Sequence, residues 1–181
     1  MHNVLYISYD GLLDPLGKSQ ILPYIKGIAT HQKQVHIISF EKKNRIQKKK
    51  IFFFKEKNIF WHYLTFTSNF GIIGKIWDLL KLFLYTLFIC KKKSISLIHA
   101  RSHIAAYVGY FINKLHKHKL IFDFRGLWLE ERFENNLWDK NSIFYSIIFK
   151  ILKKMEKKVI FSSSKIVVLT QKLKNEFNNK F

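Results

Sequence analysis

A chain of 181 residues, 48% hydrophobic and 17% aromatic, suits one α/β domain with a real core and is too apolar for disorder throughout. The single Cys90 excludes a disulfide framework and a multi-cysteine metal site, and a reducing, cytoplasmic compartment is the default. The formal charge of +20 fits either an AT-rich compositional bias or an anionic partner; without an RRM signature or a zinc finger, no nucleic-acid partner is expected.

The chain opens on strand-like sequence at 3–9, which does not read as a signal peptide. The loop Asp10-Gly11-Leu12-Leu13-Asp14-Pro15-Leu16-Gly17-Lys18-Ser19-Gln20 follows, and then an amphipathic helix over 19–32. Pro23 is tolerable only in an opening turn, so this helix should start near Ser19 or Gln20, and Gly27 should let it pack closely on a sheet. A strand, a glycine-bearing turn and a helix N-terminus make a ligand site from backbone N–H groups. Gly17-Lys18-Ser19 imitates the end of a P-loop, but that motif needs a glycine where Leu12 stands, and Pro15 removes an N–H. The loop also lacks G-x-G-x-x-G, so a dinucleotide dehydrogenase is unsupported. Asp10 and Asp14 can equally be loop residues that satisfy turn amides.

Strands are expected next at 35–40 and 59–66, separated by a helix at 43–56. In the helix over 72–91, Lys75, Asp78 and Lys81 fall close to one face. Ile76, Leu79, Leu80, Phe83, Leu84 and Leu87 occupy the other, as in an amphipathic helix on a sheet or at a membrane surface. Three charges argue against a membrane span.

A strand at 96–100 leads into His99-Ala100-Arg101-Ser102-His103 and a helix over 102–116. In a parallel sheet the carboxyl ends of the strands line the ligand crevice. His99 and Arg101 therefore become candidates for acid–base work and phosphate binding. Ser102 and His103 read either as further binding residues or as a helix cap and a surface side chain. The strand at 119–124 ends in a second patch, Asp123-Phe124-Arg125-Gly126-Leu127-Trp128-Leu129-Glu130-Glu131. Carboxylates beside an arginine can orient sugar hydroxyls or brace a loop. A helix over 142–161 follows, with Phe144, Ile147, Ile148, Ile151, Met155 and Val159 on one face and Lys150, Lys153, Lys154 and Lys157 opposite. A strand at 165–169 and a helix at 170–178 complete the chain. Short apolar strands alternating with helices predict a single Rossmann-like, doubly wound, mainly parallel sheet over 1–181.

Taken in order, the 7–20, 99–103 and 123–128 segments, with Met155-Glu156-Lys157 leading to Ile166-Val167-Val168-Leu169-Thr170, resemble the N-terminal half of family 4-type glycosyltransferases of two-domain GT-B architecture. The resemblance implies an acceptor-side domain, a nucleotide-diphosphate sugar as donor substrate, retention of configuration, and neither cofactor nor obligatory metal. Gly17, Lys18 and Ser19 match the loop that approaches the donor phosphates. His99 and Arg101, with Ser102 and His103, match the loop lining the cleft. Asp123 and Arg125, beside Gly126, Glu130 and Glu131, fall where many relatives carry a sugar-contacting histidine; this chain has none there. Asp123, Arg125 and His99 are the catalytic candidates.

The resemblance further implies a glycan or lipid-linked acceptor and a C-terminal donor-binding domain with a paired-glutamate motif that this sequence does not hold, so the chain is expected to be a fragment, a frameshifted product or a subunit that a separately encoded partner completes. The basic helices at 72–93 and 142–158 are expected to hold the protein against an anionic membrane, peripherally at its inner face. The alternatives are a non-catalytic sugar- or partner-binding module and a P-loop-type NTPase.

Overall fold

The computed structural model describes residues 2–47, 57–67, 71–139 and 141–181. Six parallel strands form one sheet in the order β3-β2-β1-β4-β5-β6. They are β1 (Asn3–Ser8), β2 (Gln34–Glu41), β3 (Ile59–Thr65), β4 (Leu97–Arg101), β5 (Lys119–Phe124) and β6 (Lys165–Val168). The helices are α1 (Leu22–Ala29), α2 (Lys43–Gln47), α3 (Gly71–Lys92), α4 (Ser102–His116), α5 (Trp128–Glu134), α6 (Ile143–Ser162) and α7 (Gln171–Lys180). A π-helical turn over Gly17–Ile21 runs into α1, so helical structure begins before the expected Ser19. Beyond Gln47, the helix expected over 43–56 lies outside the described residues.

β1 and β2 bury nearly every side chain because both sheet faces are covered. On one face the π-helical turn and α1 pack Ile21 and Ile25 against Tyr6, Val35 and Ile37. On the other, α3, α4, α6 and α7 close a larger core around Leu5, Ile7, Ile98, Phe122 and Phe124. Gly27, expected at a close helix–sheet contact, is exposed with open space around it. The close approach is at Gly109 of α4, where a Cβ would lie 2.9 Å from the Leu120 side chain.

α3 realises the expected faces only in part: Lys75 is exposed and Phe83 and Leu87 pack against the core, but Asp78 and part of the apolar face change places. Asp78 is 2% exposed, whereas Ile76, Leu80 and Leu84 are 60%, 43% and 54% exposed. Asp78 is buried because its carboxylate is fully used: the Thr67 N–H donates to both oxygens, the Thr67 hydroxyl donates at 2.7 Å, and Lys81 lies 2.7 Å away. Lys81 also donates to the Thr65 carbonyl, so the pair clamps α3 onto the end of β3. Burial pulls the Asp78 carboxyl upward, but these hydrogen bonds and the Lys81 charge outweigh it and hold it below the usual carboxylate range. The expected apolar face of α6 is also only partly realised. Val159 is buried, Ile148 and Met155 are half-buried, and Phe144, Ile147 and Ile151 are exposed. Among the described residues no helix is long and apolar enough to cross a membrane.

Candidate functional site

Strand order reverses between β1 and β4, and the crevice beyond their carboxyl ends is where α/β sheets bind ligands. The register aligns Ser8, Arg101 and Asp123 in one row across β1, β4 and β5, with Tyr6 and His99 paired two residues behind. Side chains two apart on a strand share a face. His99, Arg101 and Asp123 therefore stand together on the side that α1 covers. The His99 ring stacks on Tyr6 at 4.9 Å, with Tyr24 of α1 edge-on at 5.4 Å.

Arg101 donates to the Gln20 side-chain oxygen at 3.0 Å and lies 3.8 Å from Asp10 and 3.9 Å from Asp123. Asp123 accepts a hydrogen bond from Arg125 and lies 3.7 Å from the His99 Nε2. Tyr6, His99, Arg101 and Asp123 are all at most 3% exposed. Burial raises the Asp123 carboxyl, but the hydrogen bond and charge of Arg125, with the His99 ring beside it, prevail and hold it below the usual carboxylate range. Burial, helped by the Asp123 charge, pushes the Tyr6 phenol upward, so it stays a neutral donor. Several buried atoms here lack a hydrogen-bond partner among the described residues: Tyr6 Oη, His99 Nε2, Arg101 Nε and Nη1, Asp123 Oδ1 and Arg125 Nε. A buried polar atom left unpaired costs about 1–3 kcal/mol, so a concentration of them marks a place suited to a polar ligand. The arrangement can donate to an anionic or hydroxyl oxygen through Arg101 and accept from a hydroxyl through Asp123.

The other candidates separate into distinct environments. Gly17 is buried against its own loop, where a Cβ would stand 2.1 Å from the Gly11 carbonyl oxygen, so its close approach is to the chain. Lys18 and Ser19 are exposed, and the Ser19 hydroxyl donates to the Pro15 carbonyl. Asp14 pairs with Lys42 and Arg45. Ser102 opens α4 with φ 67°, a left-handed conformation that strains a residue carrying a Cβ. His103 lies in the opposite helical layer, its Nε2–H donating to the Glu156 carboxylate at 2.8 Å and its ring stacked on Trp128. Glu130 braces that layer through Lys153 and Lys180, while the Glu131 carboxylate lies against the Cα of Gly126.

Sequence reasoning left Tyr6, Gln20 and Tyr24 out of the site. Tyr6 sits at the strand position two before Ser8, where a phenol amid aliphatic residues was the available signal. It also left out Glu41, buried at the end of β2, which accepts the N–H groups of Leu12 and Leu13 and the Ser39 hydroxyl. The strand–turn–helix motif alone cannot show that these two amides are already engaged.

No protein-family model and no curated protein sequence matches the chain. Solved structures do. Sucrose-phosphate synthase from Thermosynechococcus elongatus superposes with TM-score 0.72 at 11% identity, over 99% of this chain and 45% of that one. A putative UDP-N-acetylglucosamine 2-epimerase from Listeria monocytogenes gives TM-score 0.56 at 7% identity, over 98% and 41%. Arabidopsis thaliana UGT89C1 complexed with UDP gives 0.53 at 12%, over 97% and 47%. The chain thus spans less than half the length of each. The likeness shows the fold: one Rossmann-like layer matching half of a GT-B structure.

Proposed function

We propose that the chain is the acceptor-side domain of a GT-B glycosyltransferase, acting in sugar transfer from a nucleotide-diphosphate donor to a glycan or lipid-linked acceptor. The carrying observation is the buried His99–Arg101–Asp123–Arg125 cluster at the carboxyl ends of β4 and β5, with its unpaired donors and acceptors. Arg101, near Gln20 and Asp10, is suited to an anionic or hydroxyl group of a substrate. Asp123, held ionised, is suited to accept from a sugar hydroxyl, with His99 beside it as a proton carrier and Arg125 fixing its orientation. Electrostatic stabilisation of the leaving diphosphate is the principal catalytic contribution in this reading, and a retaining, metal-independent transfer follows from the motif resemblance. A second Rossmann domain would supply the remaining donor contacts.

The engagement of the Leu12 and Leu13 amides by Glu41 favours a second reading, a sugar-binding module without transfer activity. Both readings meet in one experiment. The chain is titrated calorimetrically with UDP- and GDP-sugars, and sugar transfer to membrane glycolipid extracts is assayed with the product of any adjacent reading frame encoding a Rossmann domain. Donor-dependent transfer that falls at least about tenfold in Arg101→Ala supports the transferase, one tenfold step being about 1.4 kcal/mol of transition-state stabilisation. Glycan binding without transfer supports the module, and absence of both removes both.

A further inference from the structure

α4 and α6 pack against each other, and between them runs a groove of about 860 Å³. Lys117 and His118, which line it, directly precede β5, so the groove lies at the amino ends of the strands. Arg101 and Asp123 stand at the carboxyl ends, so this is a different place from the crevice. Lys114 and Lys117 face the groove from α4, and Lys154, Lys157 and Lys158 from α6, with no carboxylate among the lining residues. All five lysines are exposed, and none forms an ion pair among the described residues.

Ordinary helix chemistry accounts for only some of this charge. Lys114 and Lys117 stand at the carboxyl end of α4, where a cation is favoured. α6 has no basic residue in its last turn, so Lys154, Lys157 and Lys158 do not serve its dipole. Lys154 precedes the other two by three and four positions, a spacing at which like charges on one helix face repel. Lys117 adopts φ 45° and ψ 46°, the left-handed conformation that glycine usually supplies after a helix. Glycine would take it without strain, so the side chain, not the backbone, accounts for a lysine there. The Lys114 ammonium is held 5.2 Å from the centre of the Tyr110 ring, which fixes one cation at the groove wall. The His118 Nε2 is buried with no hydrogen-bond partner among the described residues.

The volume is that of a small-molecule site, roughly 300–1,000 Å³. Ammonium groups that converge from two helices on one concave space suit a compact anion that several of them reach together. Lysine binds phosphate as a point charge, and a chain of linked phosphates offers several such charges at short spacing.

We propose that the groove between α4 and α6 binds a soluble oligophosphate, its phosphates held by Lys114, Lys117, Lys154, Lys157 and Lys158. This site is separate from the crevice and does not rest on the glycosyltransferase reading.

The test is isothermal calorimetry of the full chain with inorganic tripolyphosphate at about 150 mM salt, where long-range attraction is screened. One saturable site is expected. Lys154→Gln, Lys157→Gln and Lys158→Gln together should weaken it at least about tenfold. Glutamine at Lys33, Lys43 and Lys75, exposed lysines outside the groove, removes the same charge and should weaken it less than about twofold. Lys117→Gly should weaken binding while raising the melting temperature, so loss of affinity is read apart from loss of fold. Equal weakening by the two triple variants makes the attraction one of net charge and overturns the proposal, as does the absence of saturable binding. Binding lost in Arg101→Ala but kept in the groove triple puts the anion in the crevice and also overturns it. Flotation with phosphatidylglycerol vesicles by a chain that does not take up tripolyphosphate makes the partner of these lysines a lipid surface, and overturns it as well. No sugar donor enters these readouts, so they are decided apart from transfer.

Discussion

Glu41 accepts the Leu12 N–H at 2.7 Å and the Leu13 N–H at 3.2 Å, so the end of β2 holds the loop after β1 closed against the sheet. Burial raises the Glu41 carboxyl, while the Ser39 hydroxyl and the two amides pull it back only in part. A carboxyl whose folded pKa is raised costs stability above that pKa and stops costing it once protonated. Glu41→Gln, which keeps an acceptor for Leu12, should therefore shift stability at pH 7 by no more than about 1 kcal/mol. Glu41→Ala leaves two buried amides unpaired and should cost about 2–4 kcal/mol in urea denaturation.

Asp123 has the opposite linkage. Its folded pKa lies below the unfolded value of about 3.9, so its stabilisation is present above that value and is lost as pH falls through the lower folded pKa. Asp123→Asn should lose about 3 kcal/mol at pH 7, because Arg125 and Arg101 keep their charge in a buried setting. Denaturation curves of the two proteins should converge at acidic pH. A constant gap down to pH 2 would remove the carboxylate as its source.

Ser102 enters α4 at φ 67° with no capping hydrogen bond from Arg101 before it. Glycine adopts this conformation without strain. Ser102→Gly should raise stability by about 0.5–1 kcal/mol on thermal melting. A fall in glycan binding or transfer by the same variant would assign the Ser102 hydroxyl to the site, which stability alone does not address.

At the β3 edge the neutral rings of His36 and His62 fit one proton order. Tyr85 donates to His62 Nδ1, His62 Nε2 donates to His36 Nδ1 at 3.1 Å, and His36 Nε2 donates to Gln34. Burial, then the His62 charge, then Lys93 push His36 down to about 4. The unfolded ring titrates near 6.5, so stability should fall as pH drops from about 6.5 to about 4. In an NMR titration the His36 ring should remain neutral at pH 5.5. His36→Leu should flatten this part of the stability profile.

The strand at 3–9 and the strand-end patches at 99–103 and 123–125 were legible in sequence because they rest on local signals. Continuous apolar runs specify strands buried on both faces, and their alternation with helices specifies a parallel sheet. The position of His99, Arg101 and Asp123 at carboxyl ends follows from that alone. The short helix α5 was missed because Leu129 is its buried anchor and seven residues span too few turns to set a period.

The faces of α3 and the state of the 10–20 loop were decided only by tertiary structure. Periodicity separates apolar from charged positions, but it cannot say which stripe meets the sheet when a buried acid finds partners across the fold. Thr67 and Lys81 give Asp78 those partners, turning Leu80 and Leu84 outward. Likewise the loop amides of Leu12 and Leu13 are spoken for by Glu41, a residue 29 positions away from the first of them. Sequence by itself determined the sheet and the end of it that gathers polar groups. Long-range hydrogen bonds to buried carboxylates determined which surfaces remain free to bind.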